Sequence, residues 1–156
     1  MKVCFFGHRS IKETEKLKPV LREIIEDLIN EGADTFLLGS KSEFNSLCYE
    51  VLSDIKEKYP HIKRIYVRAE YPVIDESYKR YLFERYEDTF FPKRVAGAGK
   101  AAYAERNFYM IDKSDICVFY YDKNIKYLHR KSGTKAAFEY AEKRRKRIIN
   151  SYLLLS

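Results

Sequence analysis

Short apolar runs alternate with segments of helical periodicity along almost the whole chain, and this alternation limits the fold more than any other feature. The apolar runs predict five strands, at residues 2–6, 35–38, 62–67, 115–121 and 147–154. The periodic segments predict four helices, at residues 10–32, 43–59, 100–113 and 132–145. Strands that alternate with helices of this length form mostly parallel sheets with right-handed crossovers. The sequence therefore predicts an α/β, three-layer, Rossmann-like fold in which a mostly parallel five-stranded sheet is flanked by helices.

The first helix is predicted to begin at Ser10. The Ser10 hydroxyl and the Glu13 carboxylate, three residues later, have the spacing of a capping box, in which each side chain binds a backbone N–H of the first turn. Gly32 provides a natural end, because glycine readily takes the left-handed conformation that closes many helices.

The regular alternation breaks down after the third strand, over an insertion at about residues 70–98. This stretch is rich in tyrosine, phenylalanine, lysine and arginine. Two interpretations remain open. The insertion is either a lid that stacks on a base or covers a site, or a packed excursion over one edge of the sheet, because Tyr and Phe fill cores as readily as they stack.

The length and composition predict a single domain spanning residues 1–156. A chain of 156 residues that is 46% hydrophobic and 34% charged is typical of a globular protein. No apolar run approaches the roughly 20 residues of a membrane span, and the start of the chain does not resemble a signal peptide. Three widely spaced cysteines indicate neither a disulfide framework nor a zinc site. We therefore expect a cytoplasmic protein with buried cysteines, no metal and no membrane association.

The net charge of +7 and the pI of about 9.2 favour anionic partners, which include nucleotides and nucleic acid. Much of this charge lies in the run KRRKR at residues 143–147. That run suits a nucleic-acid-binding module, but it is also typical of the solvated last turn of a helix, where cations interact with the negative end of the dipole. Because the run ends a helix rather than lining a groove with aromatic residues, nucleic acid ranks behind small nucleotides as a partner.

Glycine-containing loops follow three of the predicted strands and precede helices. They contain Gly7, then Gly39 and Ser40, and then Ser132, Gly133 and Thr134. Glycine lets a backbone approach a phosphate closely, and a helix N-terminus offers free N–H groups. Ligands of open parallel sheets bind outside the carboxyl ends of the strands, near the switch in strand order. The sequence therefore predicts a phosphate site along this edge, although no loop matches a P-loop or GxGxxG pattern.

Arg9 and Arg106 are the cations expected beside that phosphate. A planar guanidinium can bind two phosphate oxygens at once, and Arg9 lies directly on the first loop. The alternative for Arg9 is an ordinary surface arginine. His8 is a candidate base, but no nucleophile accompanies it in the sequence, and a loop histidine held by backbone groups is the simpler interpretation.

Four segments resemble motifs of small stand-alone domains of the SLOG superfamily. They are KVCFFGHRS (residues 2–10), FLLGSKSEFNSLCYEVL (36–52), RNFYMIDKSDICVFYYD (106–122) and SGTKAAFEYAEKRRKRIIN (132–150). The similarity spans nearly the whole chain and keeps the family order. The resemblance implies a Rossmann-like fold with a nucleotide, ADP-ribose or NAD-like ligand at the strand ends. It also implies self-association into a homo-oligomer.

The site residues that the resemblance implies, position by position, come from all four segments. They are Gly7, His8, Arg9, Gly39, Ser40, Phe44, Asn45, Glu50, Arg106, Asn107, Asp112, Ser132, Gly133 and Thr134. The chain departs from the family pattern at Ser40, Glu43 and Asn45, which stand where the family has two glycines and an aspartate. A carboxylate at Glu43 would repel a phosphate unless it points away.

Whether the domain is an enzyme depends on one position. The similar Lonely-guy phosphoribohydrolases use an arginine, which Arg106 matches, and a glutamate, whose position is Ala137 here. The next acid, Glu139, is turned about 200° around the helix from that position, and glycosidic cleavage needs a carboxylate to stabilise the developing positive charge. We therefore expect a domain that binds or senses a nucleotide. The alternative is a phosphoribohydrolase or N-glycosidase acting on a nucleoside monophosphate, with Arg106 catalytic and Glu50 or Asp122 replacing the glutamate.

Overall fold

A computed structural model describes residues 1–125 and 133–155, in which six strands and five α-helices occur. The strands are β1 (Lys2–Gly7), β2 (Thr35–Leu38), β3 (Lys63–Val67), β4 (Asp88–Phe90), β5 (Ile116–Tyr120) and β6 (Arg147–Asn150). The helices are α1 (Thr14–Asn30), α2 (Glu43–Ile55), α3 (Glu76–Arg85), α4 (Ala102–Lys113) and α5 (Gly133–Lys143).

All six strands are parallel and follow the order β4-β3-β2-β1-β5-β6. The chain builds outward from β1 to β4 on one side and then returns to add β5 and β6 on the other. The strand order therefore reverses between β1 and β5. At such a switch the connections leave towards opposite faces of the sheet, and a crevice opens at the carboxyl ends of the strands. This architecture confirms the predicted α/β, Rossmann-like fold.

The sheet separates two apolar cores. The helices α1 and α2 pack on one face, against Val3 and Phe5 of β1, while α4 and α5 pack on the other, against Cys4 and Phe6. Successive side chains of a strand point to opposite faces, so β1 contributes to both cores. Strands covered on both faces have continuous apolar sequences, which is why β1 and β5 are recognisable in the sequence.

The segment predicted as an insertion contributes a further strand to the sheet. The prediction of five strands is therefore one too few. Residues 70–98 contain α3 and the edge strand β4, which pairs in parallel with β3. The Arg64 guanidinium of β3 binds the Glu87 carboxylate just before β4. Of the three residues in β4 the first and last are exposed, and α3 buries only Leu82. Neither element therefore carries the apolar pattern that identifies the others.

The helix α1 begins at Thr14, four residues later than predicted, and the expected capping box at Ser10 is wrong. The Glu13 side chain makes no capping hydrogen bond. Ile11 is buried in the core, and its backbone N–H donates to the Glu43 carboxylate at 2.7 Å. This long-range contact holds the stretch before Thr14 in the loop.

The last strand, β6, ends at Asn150 and is shorter than predicted, because a 3-10 turn over Ser151–Leu154 follows it. The Asn150 side chain accepts a hydrogen bond from Tyr121 N at 3.0 Å and donates one to Tyr121 O at 2.9 Å. Its oxygen also accepts from Tyr152 N at 3.3 Å. The Asn150 side chain thus replaces the next pair of backbone hydrogen bonds between β5 and β6. The backbone after Asn150 can therefore turn away from the sheet.

Cys4, Cys48 and Cys117 are buried free thiols, as the composition predicts. Cys4 and Cys117 are partners in the β1–β5 register with their Sγ atoms 3.5 Å apart, and burial raises the pKa of Cys4 and Cys48. Within the two described ranges, no helix has both the length and the apolar content that crossing a bilayer requires.

Candidate functional site

A cleft of about 650 Å³ lies at the carboxyl ends of the central strands. Its walls are the loops after β1, β2 and β3, the first half of α4 and the start of α5. Gly7, Gly39 and Gly133 all border the cleft, so the structure brings together the three loops that the sequence predicts as phosphate sites. The other predicted site residues that line it are Arg9, Ser40, Arg106, Asn107 and Thr134. Ser132 lies outside the described residues.

Gly39 and Arg106 meet at the floor of the cleft. A Cβ atom at Gly39 would lie 2.8 Å from Arg106 Cδ and 2.9 Å from Met110 Sδ. The absence of a side chain at Gly39 therefore lets α4 pack against the end of β2. Arg106 Nη1 donates to Gly39 O, and Arg106 Nε donates to Asn107 Oδ1 at 3.0 Å. These bonds fix the guanidinium at the edge of the cleft.

The Arg106 guanidinium is a buried cation whose direct hydrogen-bond partners are neutral, although the more distant Glu70 charge also acts on it. Arg106 is only 5% exposed. Among the described residues, no carboxylate oxygen lies within 4.0 Å of its nitrogen atoms. Burial lowers the pKa of Arg106, because desolvation disfavours the charged form. A negatively charged ligand in the cleft would compensate this charge.

The loop between β2 and α2 presents small polar groups and a helix N-terminus to the cleft. Ser42 caps α2, since its Oγ accepts from Asn45 N at 3.1 Å, and it also shares a 2.8 Å hydrogen bond with Ser40 Oγ. The Glu43 carboxylate is turned away from the cleft towards Ile11 N. The acid that departs from the family pattern therefore does not face a ligand at this loop, and the positive end of the α2 dipole does.

Phe44 and Asn45, which the resemblance places in the site, are buried behind the loops that follow β1 and β2 and support those loops. Phe44 is fully buried, and a Cβ atom at Gly7 would lie 2.3 Å from its ring. Asn45 is also buried; its Oδ1 accepts from Gly39 N at 3.3 Å, and its Nδ2 donates to Phe5 O at 3.4 Å. Both residues hold the ends of β1 and β2 in place, and neither lines the cleft.

Four tyrosines line the β3 side of the cleft, where the Arg106 guanidinium lies 5.5 Å from the Tyr103 ring, and we call them the tyrosine wall. They are Tyr66, Tyr71, Tyr78 and Tyr103. The rings of Tyr71 and Tyr78 lie 5.9 Å apart in an edge-on arrangement. Tyr71 and Tyr78 come from the segment predicted as an insertion, so aromatic side chains of that segment do reach the cleft.

Arg68 and Glu70 stand beside the tyrosine wall and are absent from the predicted set of site residues. Arg68 Nη1 donates to Tyr71 O at 3.2 Å, whereas its buried Nε has no partner among the described residues. Glu70 accepts a hydrogen bond from the Tyr103 hydroxyl. The loop at residues 68–71 directly follows β3, and its position at the carboxyl end of a parallel strand makes it a candidate from the sequence, although the motif resemblance does not include these two residues.

Glu50 and Asp112, which the resemblance places in the site, lie away from the cleft. Glu50 accepts from Lys18 Nζ at 2.7 Å on the outer side of α2. Asp112 lies near the end of α4, where its carboxylate binds Arg94 at 2.8 Å and Arg144 at 2.9 Å. Both carboxylates join surface elements, so a contact with a ligand in the cleft is not available to them in this arrangement.

His8 supports the loops behind the cleft and does not line it. It is 2% exposed, and its Nε2 accepts from Asp122 N at 2.8 Å. Burial lowers the pKa of His8, although the nearby Asp122 charge opposes the shift. A neutral imidazole with an accepting Nε2 therefore ties the end of β1 to the end of β5. This agrees with the interpretation of His8 as a loop residue held by backbone groups.

Two other sequence features also lie apart from the cleft. Ala137, at the position of the Lonely-guy glutamate, is buried in the apolar core under α5. In the basic run, Arg144 pairs with Asp112 and Arg147 pairs with Glu31 at 2.5 Å. Within the described residues, no cluster of three or more His, Cys, Asp or Glu side chains could hold a metal ion.

A doubly wound parallel sheet with a cleft at the strand switch defines a Rossmann-like domain. Within that class, the sequence model of the YspA SLOG family matches residues 1–151. The chain belongs to the YspA SLOG family. A search of curated proteins found no match.

Proposed function

We propose that the cleft binds a nucleotide, or a nucleotide-derived ligand such as ADP-ribose or NAD, through its phosphate groups. One observation carries this proposal: Arg106 is a buried guanidinium beside the cleft, without a carboxylate within 4.0 Å in the described part of the chain. A buried charge is costly unless a counter-charge compensates it. A phosphate would supply that charge and accept two of the guanidinium N–H groups together.

The surroundings of Arg106 support a phosphate-binding role. The starts of α2 and α5 border the cleft, and each contributes the positive end of a helix dipole. Arg9 and Lys41 are exposed cations on the same rim. Together these groups favour an anion at the β1–α5 end of the cleft.

We infer that the role is to bind or sense the ligand, as the sequence predicts. The position at which the related phosphoribohydrolases have a glutamate is Ala137, whose side chain belongs to a core. Among the described residues, the carboxylate that lines the cleft is Glu70, and it lies beside the tyrosine wall rather than at the phosphate loops.

Thermal unfolding and calorimetry with AMP, ADP, ADP-ribose, NAD and inorganic phosphate test the proposal. At about 100 times Kd, a ligand adds roughly 2.7 kcal/mol to the free energy of unfolding, which corresponds to a rise in Tm of roughly 5–10 °C for a domain of this size. Arg106→Met keeps the apolar length and removes the charge, so this rise should be lost. Arg22→Met is the matched control, because Arg22 is a surface residue of α1 that pairs with Glu26.

Arg106→Lys provides a second variant if the Met variant does not fold. It keeps the charge but loses the planar fork, and binding should weaken at least about tenfold, by one charge-assisted hydrogen bond. The absence of binding by every ligand at millimolar concentration would overturn the proposal. Equal binding by the wild-type chain and both Arg106 variants would also overturn it.

A further inference from the structure

The two ends of the cleft have different chemistry. The β1–α5 end has glycine loops, helix N-termini and exposed cations, whereas the β3 end has the tyrosine wall and Glu70. In the sheet, β3 lies two positions from β1 and three from β5. With strands 4.7–4.9 Å apart, the two ends are separated by roughly 10–14 Å. An elongated ligand with an anionic group at one end and a flat ring at the other fits this arrangement.

Glu70 is an acceptor within the tyrosine wall; the Arg106 charge lies near enough to act on it but does not form a direct ion pair with it. The Tyr103 hydroxyl donates to Glu70 Oε1, which leaves Oε2 without a described protein donor. Among the described residues, no Lys or Arg nitrogen lies within 4.0 Å of the carboxylate. A carboxylate at this position would repel a phosphate. It therefore disfavours binding of the ligand with its phosphate group at the β3 end of the cleft.

The tyrosine rings surround this carboxylate closely. The Tyr103 hydroxyl donates to Glu70, and the Arg106 guanidinium lies 5.5 Å from the Tyr103 ring. Burial raises the pKa of Tyr66, Tyr78 and Glu70 raise it further, and the Arg106 charge opposes the shift. Aromatic rings stack on the face of any nucleobase. A stacked base beside Glu70 would present its edge to an acceptor that carries a negative charge.

We propose that the β3 end of the cleft is a nucleobase subsite in which Glu70 accepts a hydrogen bond from an amino-substituted base held by the tyrosine wall. The proposal rests on the proposed nucleotide-binding function and adds the specificity for the base. Adenine, guanine and cytosine carry an exocyclic amino donor, whereas unsubstituted purine has no N–H group on the edge that pairs. The subsite therefore discriminates between nucleotides that have the same phosphate and ribose.

The backbone at Tyr71 is consistent with a side chain held for binding. Tyr71 has a φ of 59°, in the left-handed region that non-glycine residues rarely adopt, and its ring is 57% exposed. Such a conformation is strained for a residue with a side chain, and strained residues of this kind cluster at binding sites. Arg68 Nη1 donates to the Tyr71 carbonyl and thereby holds this turn. The exposed ring is thus fixed at the mouth of the cleft, where a base would cover it.

Titration calorimetry with AMP, purine riboside 5′-monophosphate and ribose 5-phosphate tests the subsite. AMP should bind at least about tenfold more tightly than purine riboside 5′-monophosphate, because one hydrogen bond to a charged acceptor distinguishes them. In Glu70→Ala this ratio should fall to about one, while the affinity for ribose 5-phosphate stays within about twofold. Glu84→Ala, an exposed acid of α3 outside the cleft, is the matched control and should keep the tenfold ratio.

The results distinguish a failure of the nucleobase subsite from a failure of the nucleotide-binding function. If none of the three probes binds at millimolar concentration, the nucleotide-binding function fails and the subsite fails with it. If all three bind but the wild-type chain does not distinguish AMP from purine riboside 5′-monophosphate, the subsite alone is overturned. Should the Ala variant unfold, Glu70→Gln keeps the size of the side chain, and the ratio should fall at least about threefold because a neutral acceptor is weaker.

Discussion

At the scale of single residues, the glycines of the cleft make room for neighbouring side chains. Gly7 is in contact with the Phe44 ring, and Gly39 with Arg106 and Met110, and the φ angle of neither glycine is in the left-handed region. The sequence predicts these glycines as positions where the backbone approaches a phosphate. The structure shows a packing role: at Gly39 the missing side chain admits the Arg106 side chain at the edge of the cleft.

Gly39→Ala should therefore both destabilise the chain and weaken binding of an anionic ligand. The new Cβ atom would lie 2.8 Å from Arg106 Cδ, and relief of such crowding costs typically about 1–3 kcal/mol. Because Arg106 must move, AMP affinity should fall as well. Urea denaturation and calorimetry measure the two effects.

Gly133→Ala is the control for this substitution, since no described atom lies within 4 Å of the Cβ position at Gly133. Its free energy of unfolding should stay within about 0.5 kcal/mol of the wild-type value. If Gly39→Ala is as stable as this control and binds AMP as tightly as the wild-type chain, the close approach of α4 does not position Arg106.

At the scale of elements, the parts of the fold that are covered on both faces could be predicted from the sequence, and the edge could not. The runs at β1, β2 and β5 are apolar because each is buried between helices. The edge strand β4 is largely exposed and depends on polar contacts such as Arg64–Glu87. Strand pairing that depends on polar contacts produces no regular pattern of apolar residues in the sequence.

The acidic group at that edge should give stability that depends on pH. Burial favours the neutral form of Glu87, but hydrogen bonds from Arg64 and Lys56 outweigh it and hold its pKa at about 2, below the ordinary 4.5. A lowered pKa stabilises the folded state above about pH 4.5, and this stability is lost as the pH falls towards 2. After allowance for solvent screening, we expect a contribution of about 1–3 kcal/mol.

Glu87→Gln removes this titration and tests its size. The difference in free energy of unfolding between the wild-type chain and the variant should be largest near pH 7 and should shrink as the pH falls below about 4.5. Urea denaturation over this range measures it. A difference that is independent of pH would show that the Glu87 charge does not hold β4.

The site could be predicted as a region from the sequence, although not residue by residue. The rule that ligands lie at the carboxyl ends of parallel strands brings Gly7, Gly39 and Gly133 to one cleft. Similarity of motifs also includes Phe44 and Glu50, which have packing and surface roles. A motif records which residues recur in a family, but it does not separate contacts with a ligand from contacts that hold the loops.

At the scale of the whole molecule, the two apolar cores share one sheet, and this predicts a single cooperative unit. Every central strand contributes side chains to both faces, so one core cannot lose its packing while the other keeps it. Urea unfolding followed by far-UV circular dichroism and by tyrosine fluorescence should give coincident two-state transitions. Two separate transitions would instead indicate independent domains within residues 1–156.

Self-association, which the resemblance implies, stays a prediction at this scale. Exposed apolar side chains occur at Val73, beyond the tyrosine wall, and at Leu153, in the last turn of the chain. Light scattering during size-exclusion chromatography measures the oligomeric state directly.

The proposed function requires the phosphate of a bound nucleotide to compensate the buried Arg106 guanidinium. A crystal structure of the chain grown with AMP tests this requirement. We expect electron density for the phosphate within about 2.7–3.2 Å of the Arg106 guanidinium, between the starts of α2 and α5, with the base at the tyrosine wall. AMP bound elsewhere on the molecule, or a cleft that excludes AMP while Arg106 stays buried without a counter-charge, would contradict it.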